Sequence, residues 1–433
     1  MKKLVVLLSV LALMLTAIGA ASMAAPIKVT FWAAPNPTQE TFWRNLADKF
    51  NASQDEVQVY VTAMVETPSS EATIRNAIAG GKAPAASENI FPGFGGELVN
   101  SKAIVPLDTM PGWDQVIKSR AMQDIIKGWT FSDGHVYILP VYANAMLFAW
   151  RSDILKEIGF DTPPTTYSGI MEVGKALKAK YPDKFVLARK ALVESTWWQR
   201  WFDFFMLYDA ASNGQPFITG DKVTADDAAV IKVFKFYGDL AANGYLLTKP
   251  ASHPFETGLS IWRGLGPWSF PGWRANYPEL VLNKTFVTTP PPLPDDVTLP
   301  AGAQPKTFAD AKGVVIYAQR SPEEQQAIWK FLKWVFTDPI NDRAWVDATG
   351  MLPMRGDLTT NQTFTKVFEE HPELQGYAAE MPYAVPAISN PKFADIQTAL
   401  SDKGLVPVVM GKKSPEQGWA DAKAAIEAIL AGK

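Results

Sequence analysis

The stretch "PIKVTFWAAPNPTQETFWRNLADKFNASQDEVQVYVTAM", Pro26 to Met64, decides the fold. From Ile27 to Trp32, alternating side chains and β-branched residues predict a strand. The next part, "PNPTQETFWRNLADKFNAS", reads as a loop running into a helix. Its apolar positions Phe42, Leu46 and Phe50 recur four apart and so share one face. Val57 to Met64 predicts a second strand. Beyond it, "SSEATIRNAIAGGKAPA" predicts a second helix, with Ser70 as N-cap and Gly80-Gly81 as the stop. A strand-helix-strand-helix order calls for a parallel or mixed sheet flanked by helices, an α/β fold.

The 433 residues suffice for a large core and two lobes. Upstream, "MKKLVVLLSVLALMLTAIGAASMAAP" has a basic head at Lys2 and Lys3, then an apolar run from Leu4 to Ile18 and small residues. That run is shorter than the about 20 residues of a membrane span. It reads as a secretory signal over residues 1–24, cleaved after Ala24. Downstream, "DGHVYILPVYANAMLFAWRSDILKEIGF" predicts two strands separated by a break at Pro140, then a helix start. Leu192 to Leu247 is expected to be helical and rich in aromatics. "AKGVVIYAQ" predicts a strand, and "SPEEQQAIWKFLKWVFTDP" a helix with Pro322 in its first turn. The tail from Ser414 predicts a last helix.

Composition narrows the function. A formal net charge of -3 gives no footprint for nucleic acid. There is no cysteine, hence no disulfide and no lipid-attachment thiol. His135, His253 and His371 lack metal-ligand spacing, so neither a metal nor another cofactor is expected. No phosphate loop, "HExxH" or "GxSxG" motif occurs.

Several segments together resemble the extracellular solute-binding proteins of ABC sugar importers, the maltose-binding-protein-like group. They are "IKVTFW", "NAIAGGKAP", the run from Asp133 to Ile170 with its "DG" and "PP", "GPWSF", and "AIWKFLKWVFTDPINDRAWVDATGMLPMRGD". One departure is "ASENIFPGFGGELV", a Gly- and Phe-rich turn where the family usually has "PDVV". The resemblance implies two α/β lobes joined by a hinge, with the ligand between them. It places lobe one at residues 25–141 plus 306–337, and lobe two at 142–305 plus 338–433. It implies a periplasmic or extracellular, monomeric receptor that binds a sugar and delivers it to an ABC permease, without catalysis.

Sugars present an apolar C–H face and a rim of hydroxyls, which suit flat aromatic rings and polar side chains respectively. The Gly- and Pro-broken stretch "GLGPWSFPGW" can aim Trp268 and Trp273 into a cleft, and Trp262 just precedes it. By resemblance Trp268 holds the sugar-stacking position. Tyr142 and Asn144 follow Pro140 at the crossing strand, and by resemblance the place of Asn144 is held elsewhere by a carboxylate. Trp32, with Asn36 and Gln39 beyond it, follows the first strand, where α/β sheets border their ligands. Phe94, Trp197 and Arg355 complete the candidates. Trp198, Trp201 and Phe205 recur at helical spacing and read as a buried stripe. Two alternatives stay open: a receptor for a phosphorylated polyol, which needs several cations, and a secreted glycoside hydrolase, which needs two carboxylates.

Overall fold

The computed structural model describes residues 25–432 except residue 68. The expected signal segment therefore lies outside the described residues. Among the described residues, no helix is long and apolar enough to cross a membrane.

The chain builds β1 (Ile27–Ala33), β2 (Val57–Ala63), β3 (Ala86–Ile90) and β4 (Leu139–Ala145), then β5 (Leu147–Trp150) and β6 (Phe185–Ala188). A hairpin of β7 (Ile218–Thr219) and β8 (Lys222–Val223) follows. Then come β9 (Leu246–Leu247), β10 (Ser260–Leu265), β11 (Val287–Thr289), β12 (Thr307–Ile316) and β13 (Ala384–Pro386). One sheet has the order β13-β12-β3-β1-β2, with β4 also paired to β12; the other has β11-β5-β10-β6-β9. β1 lies parallel to β2 and β3, whereas β12 is antiparallel to β3 and β4. Both sheets are thus mixed, and helices cover them.

Local chemistry explains the first unit. Asn36 caps the Pro37–Ser53 helix by accepting from the Thr38 N–H at 2.9 Å. Pro37 follows in the first turn, where a backbone N–H has no intrahelical acceptor and its absence costs nothing. Phe42, Leu46 and Phe50 are all buried, and Phe50 meets Phe331 of the Pro322–Thr337 helix. Burying each such ring contributes about 1.5–3 kcal/mol. The next helix begins one residue earlier than expected, with Ser69 as its cap, and ends at Gly80.

The segment Leu192–Leu247 departs from the helical expectation. Short 3-10 turns, the helix Phe204–Ala211, the β7–β8 hairpin and the helix Asp227–Ala242 share it. Asn213 and Gly214, both at positive φ, end the first helix and admit the hairpin.

The backbone passes from the first sheet to the second between Ala145 and Leu147, and returns between Thr289 and Thr307. The helix Pro339–Thr349 was expected in lobe two. It packs instead beside the Pro37–Ser53 helix, with Trp345 edge-on to Phe42 at 5.2 Å. The third passage follows Gly350, which takes φ 71° and lies too close to the Pro267 carbonyl to admit a Cβ. Beyond it, Leu352, Phe364 and Tyr377 join a core with Leu147 and Trp273.

Candidate functional site

A cleft of about 210 Å³ opens between the two sheets. One wall comes from the loops after the C-terminal ends of β1, β2 and β3, where open α/β sheets place ligands. The loop after β1 contributes Asn36 and the helix it enters contributes Gln39, the segment after β2 contributes Glu66, Ser70 and Glu71, and the end of β3 contributes Asn89 and Phe91. Asn89 sits at φ 70°, a left-handed conformation that asparagine tolerates better than most residues. In that pose its amide donates to Ser70 Oγ at 3.1 Å and accepts from Lys312 Nζ at 2.8 Å. Behind the wall, the buried Glu88 accepts from the Ala34 N–H at 2.7 Å and from the Gln39 amide at 3.2 Å. Those bonds hold the β1 loop in place.

The floor is β12. Asp310 and Lys312, two apart and so on one face, both line the cleft, with 3.7 Å between Asp310 Oδ1 and Lys312 Nζ. Burial pushes the carboxyls of Glu71 and Asp310 above their usual range, although Lys312 opposes both shifts. Tyr142 also lines the cleft, its ring stacked 5.6 Å from Trp345. Burial pushes its hydroxyl pKa well up, which keeps it a neutral donor.

The opposite wall is aromatic. Trp197, Trp198, Trp201, Phe202 and Trp268 all line it. Trp201 lies flat against Phe308 at 5.1 Å, and Trp268 meets Phe202 edge-on at 5.8 Å. The Trp268 ring lies directly over Gly266: a Cβ there would come within 2.2 Å of it. That glycine gives the ring its place.

Of the residues expected to touch ligand, Asn36, Tyr142, Trp197 and Trp268 line the cleft. Six do not. Trp262 is fully buried between Phe148 and Trp150 in the second sheet, stacked on both. Trp273 lies in the helix Ser269–Asn276, stacked on Phe255, and donates from Nε1 to Glu256 at 2.7 Å. The stretch "GLGPWSFPGW" is thus broken only at Gly266 to Trp268, and the helix that follows turns Trp273 into the core. Phe94 is fully buried beneath Arg75; Phe91, three residues earlier, reaches the cleft instead. Asn144 is fully buried and accepts from the Leu352 N–H at 3.4 Å, so it ties two chain passages together. Arg355 bonds Asp342 at 2.6 Å and Asp357 at 2.8 Å. Trp32 is half-buried on the face of β1 opposite Phe31 and packs on core residues. In the expected buried stripe, Phe205 and Trp201 are buried in the core, although Trp201 also lines the cleft, whereas Trp198 is only half-buried and faces the cleft.

Glu71, Asn89, Phe91, Asp310 and Lys312 were missed. The strand-end rule that picked Asn36 applies equally after β2 and β3 and reaches the first three. Asp310 escaped because the strand starts at Thr307, ahead of the expected "AKGVVIYAQ"; Lys312 lies inside that expected strand, but nothing local showed that its side chain would face a cleft.

One group of metal-ligand type occurs among the described residues, Asp347, Glu370 and His371. Arg343 bonds both carboxylates and occupies that place with its own cation.

Two α/β lobes with a polar and aromatic cleft between them define a two-lobe binding protein. The chain belongs to the bacterial extracellular solute-binding proteins, whose family profile matches residues 45–376. An uncharacterized protein of Listeria monocytogenes EGD-e shares 48% identity over 93% of this chain and 100% of that one, with a TM-score of 0.77. The cyclic alpha-maltosyl-1,6-maltose binding protein of Arthrobacter globiformis shares 21% identity over 94% of this chain and 100% of that one, with a TM-score of 0.73. The maltose/maltodextrin-binding domain of Bdellovibrio bacteriovorus, bound to maltotriose, shares 16% over 94% and 100%, with a TM-score of 0.70. The last two likenesses carry the fold.

Proposed function

We propose that this protein is a monomeric extracytoplasmic receptor that binds a neutral saccharide between its lobes and delivers it, unchanged, to an ABC permease. The observation that carries the reading is the cleft's division of labour. Aromatic faces at Trp197, Trp198, Trp201 and Trp268 oppose hydroxyl-binding groups at Glu71, Asn89 and Asp310. A sugar has just these two kinds of surface. The sugar named for two similar structures agrees with it.

A phosphorylated polyol fits less well. It would need several cations, and among the described residues that line the cleft Lys312 is the one Lys or Arg, already bonded to Asn89. A glycoside hydrolase would use two carboxylates whose environments push their pKa values apart. Burial pushes Glu71 and Asp310 in the same direction.

A thermal-shift panel of neutral sugars, polyols and their phosphates tests the reading, because a ligand that binds the native state raises the melting temperature. Neutral sugars should stabilise the protein and be recovered intact. Stabilisation by phosphates alone, or conversion of the sugar, would contradict it.

A further inference from the structure

The helix Leu374–Glu380 lies across the places where the backbone changes lobe. A Cβ at Gly376 would stand 3.4 Å from Leu147, at the end of the first passage, and 3.4 Å from Thr288, just ahead of the second. Glu380, four residues on, shares that side of the helix. Beyond it, Ala384 pairs with Thr307, whose Oγ1 donates to the Met146 carbonyl at 2.6 Å. Glu380 therefore sits where several passages are tied together.

This carboxyl is in an unusual position. It is 4% exposed, and its Oε1 is buried with no hydrogen-bond partner among the described residues. Burial pushes it from 4.5 up to about 7, while Lys306 pulls the other way. Lys306 directly precedes β12, yet among the described residues it makes no ion pair with Glu380. Its Nζ lies 5.2 Å from the centre of the Tyr383 ring instead, and its stem packs beside Gly214 of the second lobe.

The other neighbours bring no free charge. β4 packs on the helix and carries no titratable group from Ala143 to Ala145. β5 and β11 present Leu147 and Thr288, and β13 has no titratable residue. On the helix itself, Tyr377 donates to the Leu265 carbonyl at 2.9 Å; Glu373, ahead of it, pairs with Arg274. Asp209, in the helix that ends before Gly214, feels burial alone.

The lobes touch in this arrangement, Phe91 of the first lying 4.7 Å from Phe393 of the second. Ionising Glu380 here would leave a buried carboxylate unpaired, a state that proteins avoid. A shift of the crossing that lets it reach Lys306 relieves that cost.

We propose that Glu380 and Lys306 form a proton-controlled latch at the lobe crossing: with its proton, Glu380 holds the touching lobes, and as a carboxylate it turns to Lys306 and releases them. The touching arrangement keeps the proton up to about pH 7, whereas an exposed or paired carboxyl loses it by about 4.5. The preference for touching lobes is thus full below about pH 4.5, fades as pH rises and is flat above about 7. A ligand held between the lobes is retained better in acid.

The chain has no cysteine, so the exposed pair Lys49→Cys on the Pro37–Ser53 helix and Lys235→Cys on the Asp227–Ala242 helix can carry spin labels that report lobe separation. Measurements use the labelled protein without sugar. The ratio of short to long distances should fall at least about tenfold between about pH 5 and about pH 7.5. Glu380→Gln has no proton to release and should cut that change to within about twofold. Lys306→Met removes the charge that favours ionisation and should move the midpoint to higher pH. A ratio that ignores pH, a change kept in full by Glu380→Gln, or a midpoint unmoved by Lys306→Met would each overturn the latch. Because no ligand is present, the saccharide reading stands or falls separately.

Discussion

Trp268 and Trp273 stand five residues apart in one aromatic-rich stretch, yet their environments separate them. Trp268 is half-buried at the cleft, whereas Trp273 is packed on Phe255 and bonded to Glu256. Trp268→Ala should remove about 1.5–3 kcal/mol of apolar contact from the complex, roughly a tenfold or greater loss of affinity, with a near-normal melt. Gly266→Ala should reproduce that loss, because its methyl group would displace the ring. Trp273→Ala should instead cost about 3–5 kcal/mol of fold stability. Titration and denaturant melts of the three variants check this; an unchanged affinity in a folded Trp268→Ala protein would refute it. Sequence alone could not separate the two rings. It showed glycines and prolines but not where the short helix would restart. Glu88 carries a second prediction at this scale. Burial pushes its carboxyl from 4.5 up to about 7, so the unfolded chain releases that proton first. Between those values the unfolded state binds fewer protons, and stability falls as pH rises; above about 7 this contribution is flat. Glu71 and Asp310 act in the same direction. Urea melts should therefore show Glu88→Gln flattening the decline between about pH 5 and about pH 7. An identical slope in both proteins would count against a buried, proton-holding Glu88.

Among the elements, those with strong periodicity were readable and those set by distant partners were not. Phe42, Leu46 and Phe50 announce the first helix because their burial needs only one face and one sheet. The strand starting at Thr307 was read short, since Asp310 looks unlike a strand residue until the cleft beneath it is known. Arg355 shows the same limit: the sequence offers a lone arginine, and only folding brings Asp342 to it. That aspartate joins three elements. It accepts from Arg120 at 3.0 and 3.1 Å and from Arg355, while Arg120 donates to the carbonyls of Pro140 and Val141. This fully buried network locks the third passage against β4. Asp342→Ala should cost about 3–5 kcal/mol, because two buried guanidinium groups lose a partner. Arg355→Ala should lower stability and leave sugar affinity within about twofold. Chemical denaturation and titration separate the outcomes; a large loss of affinity in a stable Arg355→Ala protein would place Arg355 at the ligand after all.

For the whole molecule, the two-lobe fold was legible because the strand-helix order recurs along the chain and the family's segments appear in their expected succession. The lobe boundary after 337 was not, since nothing local in "TDPINDRAW" shows that Trp345 will lie against Phe42. The lobes meet through Phe91, which touches Trp197 at 6.4 Å and Phe393 at 4.7 Å between ring centres. A ligand that contacts both walls favours the closed arrangement by its differential affinity alone. Small-angle scattering should therefore show compaction at saturating sugar, with a change in tryptophan fluorescence. Superimposable curves and unchanged fluorescence would contradict hinge closure. The most direct measurement is a crystal structure of the protein with the saccharide that gives the largest thermal shift. The account predicts an intact sugar in the cleft, one ring over Trp268 and its hydroxyls within hydrogen-bond distance of Asp310 and Asn89. A sugar bound elsewhere, or found cleaved in the cleft, would contradict it.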